Sequence, residues 1–500
     1  MSQRDSRVNT TMGTVVGFTG DDVVRWRGIP YARPPLGPLR LRSPQPAVPW
    51  RGARYCDQFG FAAPQKRAYT LIGFGKFQPT SEDCLTLNVV APAYLTDEPL
   101  PVMFYVHGGA YFLGSSATPV YGGAALARRG CVYVSANYRV GALGCMDLSS
   151  LSTPDIEIDG NLFLRDLVMA MQWVRDNVAA FGGDPGNVTI FGESAGAHAV
   201  ATLLAVPAAE GLFDRAISQS STVGLVRTAD EAGEFAERFA ALLGTRHDEA
   251  AAALMQAEPA RLIAAAEQLF DAAARESMAA PFGPCVDGDF LPHDPLDAMA
   301  SGTAHRVPLM VGSTADEARL FTRMLAYLPT SEPMIEQLLA DTDPALRTQI
   351  MAAYPNYPTR DACIQLGGDG FFGAATWLTA EAHSGHAPTY RYRYDYAPRI
   401  LRWLGLGATH GTDLLALFDI YRSKLGRALT LAGDRRSALR VSDDVQTRWL
   451  TFARTGTPGP GWPPYREPDR TVMIFDRTPR AESDPSAARR VAWQEFARAR

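Results

Sequence analysis

The pentapeptide Gly192-Glu193-Ser194-Ala195-Gly196 sets one hydroxyl between two glycines. Before it, Asn187-Val188-Thr189-Ile190-Phe191 has the β-branched, apolar texture of a strand, and an alanine-rich apolar stretch runs on through Leu204 as a helix. A strand-to-helix turn this tight is crowded by side chains at either flank. Glycines there leave the Ser194 hydroxyl exposed, with the next helix's positive N-terminus beneath it. A glycine-rich turn holding an ordinary serine would also explain the pentapeptide, but the strand before and the helix after favour a nucleophile. A serine hydroxyl attacks poorly at neutral pH unless a histidine takes its proton and a carboxylate orients that histidine. The chemistry to look for is acyl transfer through an oxyanion.

A second segment supplies what an oxyanion needs. His107-Gly108-Gly109-Ala110 follows the apolar run Leu100–Val106, and its small residues let backbone N–H groups come close. Gly109 and Ala110 are the candidate donors, with Ala195, the residue after the nucleophile, as a third. The eight histidines sort by position. His107 belongs to the donor segment, His198 to the helix after Ser194 and His247 to a polar helical stretch. His293 and His305 precede later strands. His383 and His386 stand before the strand Thr389–Tyr396, at the wrong edge of a parallel sheet. His410, after that strand in Gly407-Ala408-Thr409-His410-Gly411, sits among small residues that let a loop carry it to a serine. An orienting acid should lie between nucleophile and histidine along the chain. The strand Pro308–Gly312 is followed by Asp316 and Glu317, and their adjacency leaves both open.

These segments need a framework. Leu100–Val106 and Cys131–Ala136 read as strands buried on both faces of a parallel sheet. Gly122–Arg129 reads as a short helix, Leu162–Ala180 as a longer one with apolar residues at helical spacing, and residues 228–280 as largely helical. The opening stretch, with Gly28-Ile29-Pro30 and Arg33-Pro34-Pro35, reads as irregular chain with short strands. Thr389–Tyr396 alternates aromatic and charged residues as a half-exposed strand would. Strands alternate with helices over all 500 residues with no repeat and no low-complexity linker, which predicts one α/β domain, 1–500, with insertions.

Composition removes other classes. Apolar residues are 46% and charged residues 20%, and 48 basic against 53 acidic side chains leave a net charge of −5 with no long single-sign block. Disorder and nucleic-acid binding are not indicated. No apolar run has the length of a membrane span. The opening Met1–Arg7 has no apolar segment behind its charges, so we expect a soluble, unexported, cytoplasmic protein. The six cysteines, Cys56, Cys84, Cys131, Cys145, Cys285 and Cys363, form no CxxC pair, which argues for buried reduced thiols over a zinc site or disulfide framework.

Taken together, the motifs resemble the type-B carboxylesterase family, α/β-hydrolases that include bacterial p-nitrobenzyl esterases, liver carboxylesterases and cholinesterases. The likeness runs from Gly28-Ile29-Pro30-Tyr31-Ala32 through Ser81-Glu82-Asp83-Cys84, His107–Ala110, Asn137-Tyr138-Arg139-Val140-Gly141 and Phe181–Pro185. It continues through Phe191–Gly196 and Asp316-Glu317 to Gly407–Asp413. It implies an α/β-hydrolase fold, a mostly parallel central sheet flanked by helices with long insertions, and hydrolysis of short-to-medium acyl or aryl esters through an acyl-enzyme. It implies a triad of Ser194, Glu317 and His410, oxyanion donors from Gly109, Ala110 and Ala195, and supporting roles for Ser220 and Glu193. Arg40 with Glu82, and Arg139 with Asp166, are implied structural ion pairs. Because the acyl-enzyme carries the reaction, no metal or organic cofactor is expected, and the partner is a small ester.

Departures from the family pattern carry expectations of their own. Ala63 stands where the family's first disulfide has a cysteine, leaving Cys84 without its usual partner. Cys145 replaces a phenylalanine, and Phe163 a glycine. No tryptophan precedes Ser81, which disfavours choline esters. Met278 and Ala280 fall where cholinesterases have bulky acyl-pocket aromatics. An amidase or lipase could use the same triad. A non-catalytic binding protein of this family would lack the nucleophile, and here serine, glutamate and histidine are all present.

Overall fold

The apolar run Leu100–Val106 is a strand buried from Pro101 onward, and Val132–Ala136 is buried throughout. They belong to the first of two compact units in the computed structural model, which describes residues 3–222, 225–277, 280–324 and 328–498. The first unit holds residues 1–216, 225–273 and 279–295, the second residues 217–224, 274–278 and 296–500.

In the first unit β1 (Val23–Pro30), β2 (Thr86–Pro92), β3 (Leu100–Val106), β4 (Val132–Ala136) and β5 (Gly183–Glu193) lie in the order β5-β3-β4-β2-β1. β5 and β4 run parallel to β3, while β2 is antiparallel to both β4 and β1. The motif Gly28-Ile29-Pro30, expected in irregular chain, closes β1 beyond a register shift between Trp26 and Ile29. Helix α1 (Leu162–Asn177) buries the apolar face predicted for it, and Gly182, at φ +79°, turns the chain from a short 3₁₀ turn into β5. Helix α2 (Ala195–Leu203) is wholly buried. Residues 229–277 form three helices, Ala229–Leu242, His247–Gln256 and Pro259–Ser277. The register sets Phe191 against Tyr105 and Gly192 against Val106, so β5 and β3 end side by side and the segments after them leave the same sheet edge.

In the second unit β6 (Arg215–Gln219, in this unit from Ile217) neighbours β7 (Leu309–Thr314), followed by β8 (Thr389–Tyr394), β9 (Thr471–Phe475) and β10 (Arg480–Ser483). β7, β8 and β9 are parallel and β10 closes the edge antiparallel. Helices α3 (Arg360–Gly368) and α4 (Ala374–Ser384) are joined by a wide turn of π-helix, Asp369–Gly373.

β8 corrects the expectation of a half-exposed strand, since it is buried at every residue except Arg393. A parallel partner stands on each side, and several of its polar side chains meet partners inside the protein. The Tyr392 hydroxyl donates to Asp413 Oδ2 at 3.0 Å, Arg393 pairs with Asp395 at 2.7 Å, and the Arg391 guanidinium lies over the Trp377 ring of α4.

Arg40 meets Glu82 through two bonds of 2.6 and 2.8 Å, and Arg139 meets Asp166 through two of the same lengths. Phe163 replaces its expected glycine without disruption, since its ring meets Tyr111 edge-on at 4.9 Å. All six cysteines are buried thiols outside any disulfide. Burial raises the Cys56 thiol to about 11 and that of Cys285 to about 12, which keeps both protonated at neutral pH. Among the described residues, no helix is long and apolar enough to cross a membrane.

Candidate active site

Ser194 is the hinge between β5 and α2, at φ +60° and ψ −127°. A non-glycine residue with such angles holds on the order of 1–3 kcal/mol of strain, which its surroundings must enforce. They do so by close approach. A Cβ on Gly192 would lie 2.6 Å from the Gly196 backbone, and one on Gly196 would lie 2.2 Å from the Val106 carbonyl oxygen. The two glycines of the motif are thus imposed by the contact between β5, α2 and the end of β3.

The segment after β3 passes directly against the serine. A Cβ on Gly108 would meet the Glu193 carbonyl at 2.4 Å and the Ser194 Cβ at 3.0 Å. Gly109, Ala110 and Tyr111 follow with φ of +131°, +49° and +66°, a run of left-handed turns. The Tyr138 hydroxyl donates to the His107 carbonyl at 2.6 Å, and the two rings stack at 4.4 Å, fixing the base of the loop. Ala195 opens α2, where the first N–H groups of a helix have no acceptor within the helix. Glu193 is buried beside this loop, and its charge adds to the burial that raises the Tyr105 and Tyr121 phenols. Burial lowers His107 to about 4 and His198 to about 3, so neither ring suits proton exchange near pH 7.

The second unit holds the acid and the histidine. Glu317 Oε2 lies 2.6 Å from His410 Nδ1, and both side chains are less than a tenth exposed. The other carboxylate oxygen, Oε1, accepts from the Thr314 N–H and the Ser220 hydroxyl, each at 2.6 Å. Ser220 sits at φ +56°, and its N–H donates to the Gly312 carbonyl at 2.7 Å, which ties this support to β7. The adjacent Asp316 points elsewhere, accepting from the Ala408 N–H at 3.0 Å and from Arg319 at 2.9 Å. Of the two acids that spacing left open, Glu317 holds the imidazole and Asp316 holds the loop that carries it.

Three neighbours of His410 escaped the sequence reading. Phe372, on the π-helical turn, and Phe321 flank the ring at 4.6 and 5.1 Å. Asp413, three residues on, is buried and accepts from Gln219 at 2.8 Å and from Tyr392. Burial raises its pKa, with the Glu317 charge adding to the shift. The only signal available beforehand was that it shares the Gly407–Asp413 segment. Of the acyl-pocket pair, Ala280 is half-buried and Met278 lies outside the described residues. Among the described residues no group of three histidine, cysteine or acidic side chains could hold a metal ion.

The model of the Carboxylesterase family matches residues 4–493. The chain belongs to this family. It is 35% identical to the para-nitrobenzyl esterase of Bacillus subtilis (strain 168) over 97% of both chains. It is also 35% identical to the fumonisin B1 esterase of Sphingopyxis macrogoltabida, over 93% of this chain and 86% of that one. Among solved structures, a PNB esterase superposes with a TM-score of 0.87 at 34% identity, covering 98% of this chain and 99% of the other. A carboxylesterase of Geobacillus stearothermophilus does so with a TM-score of 0.85 at 32% identity, covering 98% and 100%. As a carboxylesterase with the α/β-hydrolase fold, the protein hydrolyses carboxylic esters.

Proposed function

We propose that Ser194, His410 and Glu317 act as one triad on small carboxylic esters, with the Gly109, Ala110 and Ala195 N–H groups as oxyanion donors. The observation that carries this reading is the 2.6 Å bond between Glu317 and His410 Nδ1. With the carboxylate accepting from Nδ1–H, Nε2 is left to act as the base. The Ser194 Oγ–H gives its proton to Nε2 while Oγ adds to the ester carbonyl carbon, and the π electron pair moves to the carbonyl oxygen. Collapse of this tetrahedral species breaks the bond to the alcohol oxygen, which leaves with the proton from Nε2. Water then adds to the acyl-serine by the same sequence and the carboxylic acid departs. The Glu317 carboxylate, bonded to Nδ1, stabilises the imidazolium. Ser220 and Glu193 act through position, the first on Glu317 and the second beneath the oxyanion loop. One family model spans both units, which supports treating the chain as a single hydrolase domain. Buried thiols outside any disulfide support a reducing, cytoplasmic setting.

The acyl group is read from Met278 and Ala280. Alanine removes a steric wall and methionine changes rotamer to fit a chain. Each added buried CH₂ is worth about 0.8 kcal/mol, or about fourfold in kcat/KM, until the pocket fills. Measured on p-nitrophenyl esters, kcat/KM should therefore rise from acetyl to butyryl or hexanoyl, and Ala280→Phe should return the optimum toward acetyl. A wild-type optimum at acetyl would show that another side chain closes the pocket.

A further inference from the structure

The second unit carries a surface patch that ester hydrolysis does not explain. Helix α5 (Arg399–Trp403) ends in Trp403, 75% exposed, followed by Leu404 at 49%. Helix α6 (Thr412–Leu417) follows His410, and helix α7 (Lys424–Leu429) presents Leu425 at 54% exposure, with Leu431 at 80% just beyond it. The two segments adjoin, since Arg399 of α5 donates to the Ala432 carbonyl at 3.1 Å. Helix α8 (Arg435–Thr455) begins directly after. Large apolar side chains at such exposure are common singly, but four grouped on two adjoining segments mark an interaction surface.

The charge around them is predominantly basic. Arg402, Lys424, Arg427 and Arg436 are exposed; of the acids near them, Asp434 is buried and engaged by Arg399 and Arg477, and Asp476 lies 3.9 Å from Arg402. This rim is basic in a chain whose net charge is −5.

We propose that this patch docks the protein, shallowly and reversibly, on lipid bilayers that carry anionic headgroups. An exposed tryptophan and exposed leucines suit insertion at the level of the headgroups, and a basic rim suits the phosphate layer. Self-association fits less well, because a two-fold dimer through this face would set one basic rim against its copy. The docking is independent of the triad assignment, as none of these side chains takes part in the proposed chemistry.

The test is co-sedimentation of the full chain with phosphatidylcholine vesicles and with vesicles of phosphatidylcholine and phosphatidylglycerol. Near an anionic surface each basic side chain multiplies partitioning by about fivefold, so binding to the mixed vesicles should exceed binding to the neutral ones by at least about tenfold and fade in high salt. Trp403→Ser should weaken it, as should the pair Arg402→Glu and Arg427→Glu, while turnover of a soluble p-nitrophenyl ester stays at the wild-type level in all of them. Equal binding to both vesicles, or full binding by Trp403→Ser, would overturn the proposal. So would competition by inorganic phosphate beyond its ionic strength, which would indicate a phosphate pocket, or a wild-type dimer that Trp403→Ser dissociates without lipid.

Discussion

Replacing Ser194 by alanine should leave a folded chain whose ester turnover has fallen on the order of 10⁶-fold, the scale on which a triad fails when its nucleophile is removed. The magnitude follows from the division of labour at the site. Without Oγ no acyl-enzyme forms, and the histidine has no proton to move. Oxyanion donors and substrate contacts retain only their residual acceleration over water. Folding should survive, because the strain at Ser194 is set by the approaches around Gly192 and Gly196, which alanine at 194 does not alter. Kcat on a p-nitrophenyl ester and the thermal midpoint, measured together, separate loss of chemistry from loss of structure. A variant that kept a tenth of wild-type turnover would remove Ser194 from the mechanism.

The second large effect separates two neighbours. Glu317→Gln should cost about 10⁴ in kcat, since an amide cannot stabilise the imidazolium and favours the wrong imidazole tautomer. The carboxylate is also the acceptor of three short bonds, from His410, Thr314 and Ser220, and its replacement disturbs all of them. Asp316→Asn should be much milder in kcat, because Asp316 serves the Ala408 N–H and Arg319 through separate oxygens rather than the imidazole, and the single amide oxygen keeps one of the two contacts. Any loss there should appear as lower thermal stability. Equal losses in kcat for the two variants, or a larger one at Asp316, would reverse the assignment.

How far the site could be read beforehand depended on whether its causes were local. The turn that carries Ser194 was legible because a sharp strand-to-helix turn demands glycine at fixed offsets, and the loop after β3 because small residues follow an apolar run. The choice between Asp316 and Glu317 was not legible from spacing. Adjacent residues project in different directions, and which one meets His410 depends on a loop that returns more than ninety positions later. The resemblance to relatives named Glu317, and the contacts supply the physical reason. Phe321, Phe372 and Asp413 act by contact through space, and nothing in their own neighbourhoods marks them. The alternation in Thr389–Tyr396 misled for a related reason: aromatic and charged residues in turn suggest one wet face, but a strand with parallel partners on both sides is buried on both faces, with Tyr392 and Arg393 bonded to internal carboxylates and Arg391 set over a ring.

The most direct measurement is covalent labelling of the whole protein with a fluorophosphonate, which forms a bond from phosphorus to the nucleophilic oxygen as fluoride leaves. Intact mass should show one adduct per chain, and peptide mapping should place it on Ser194. The adduct should be absent from Ser194→Ala and form far more slowly in Glu317→Gln. An adduct on any other residue, or complete labelling of Ser194→Ala at the wild-type rate, would contradict the account.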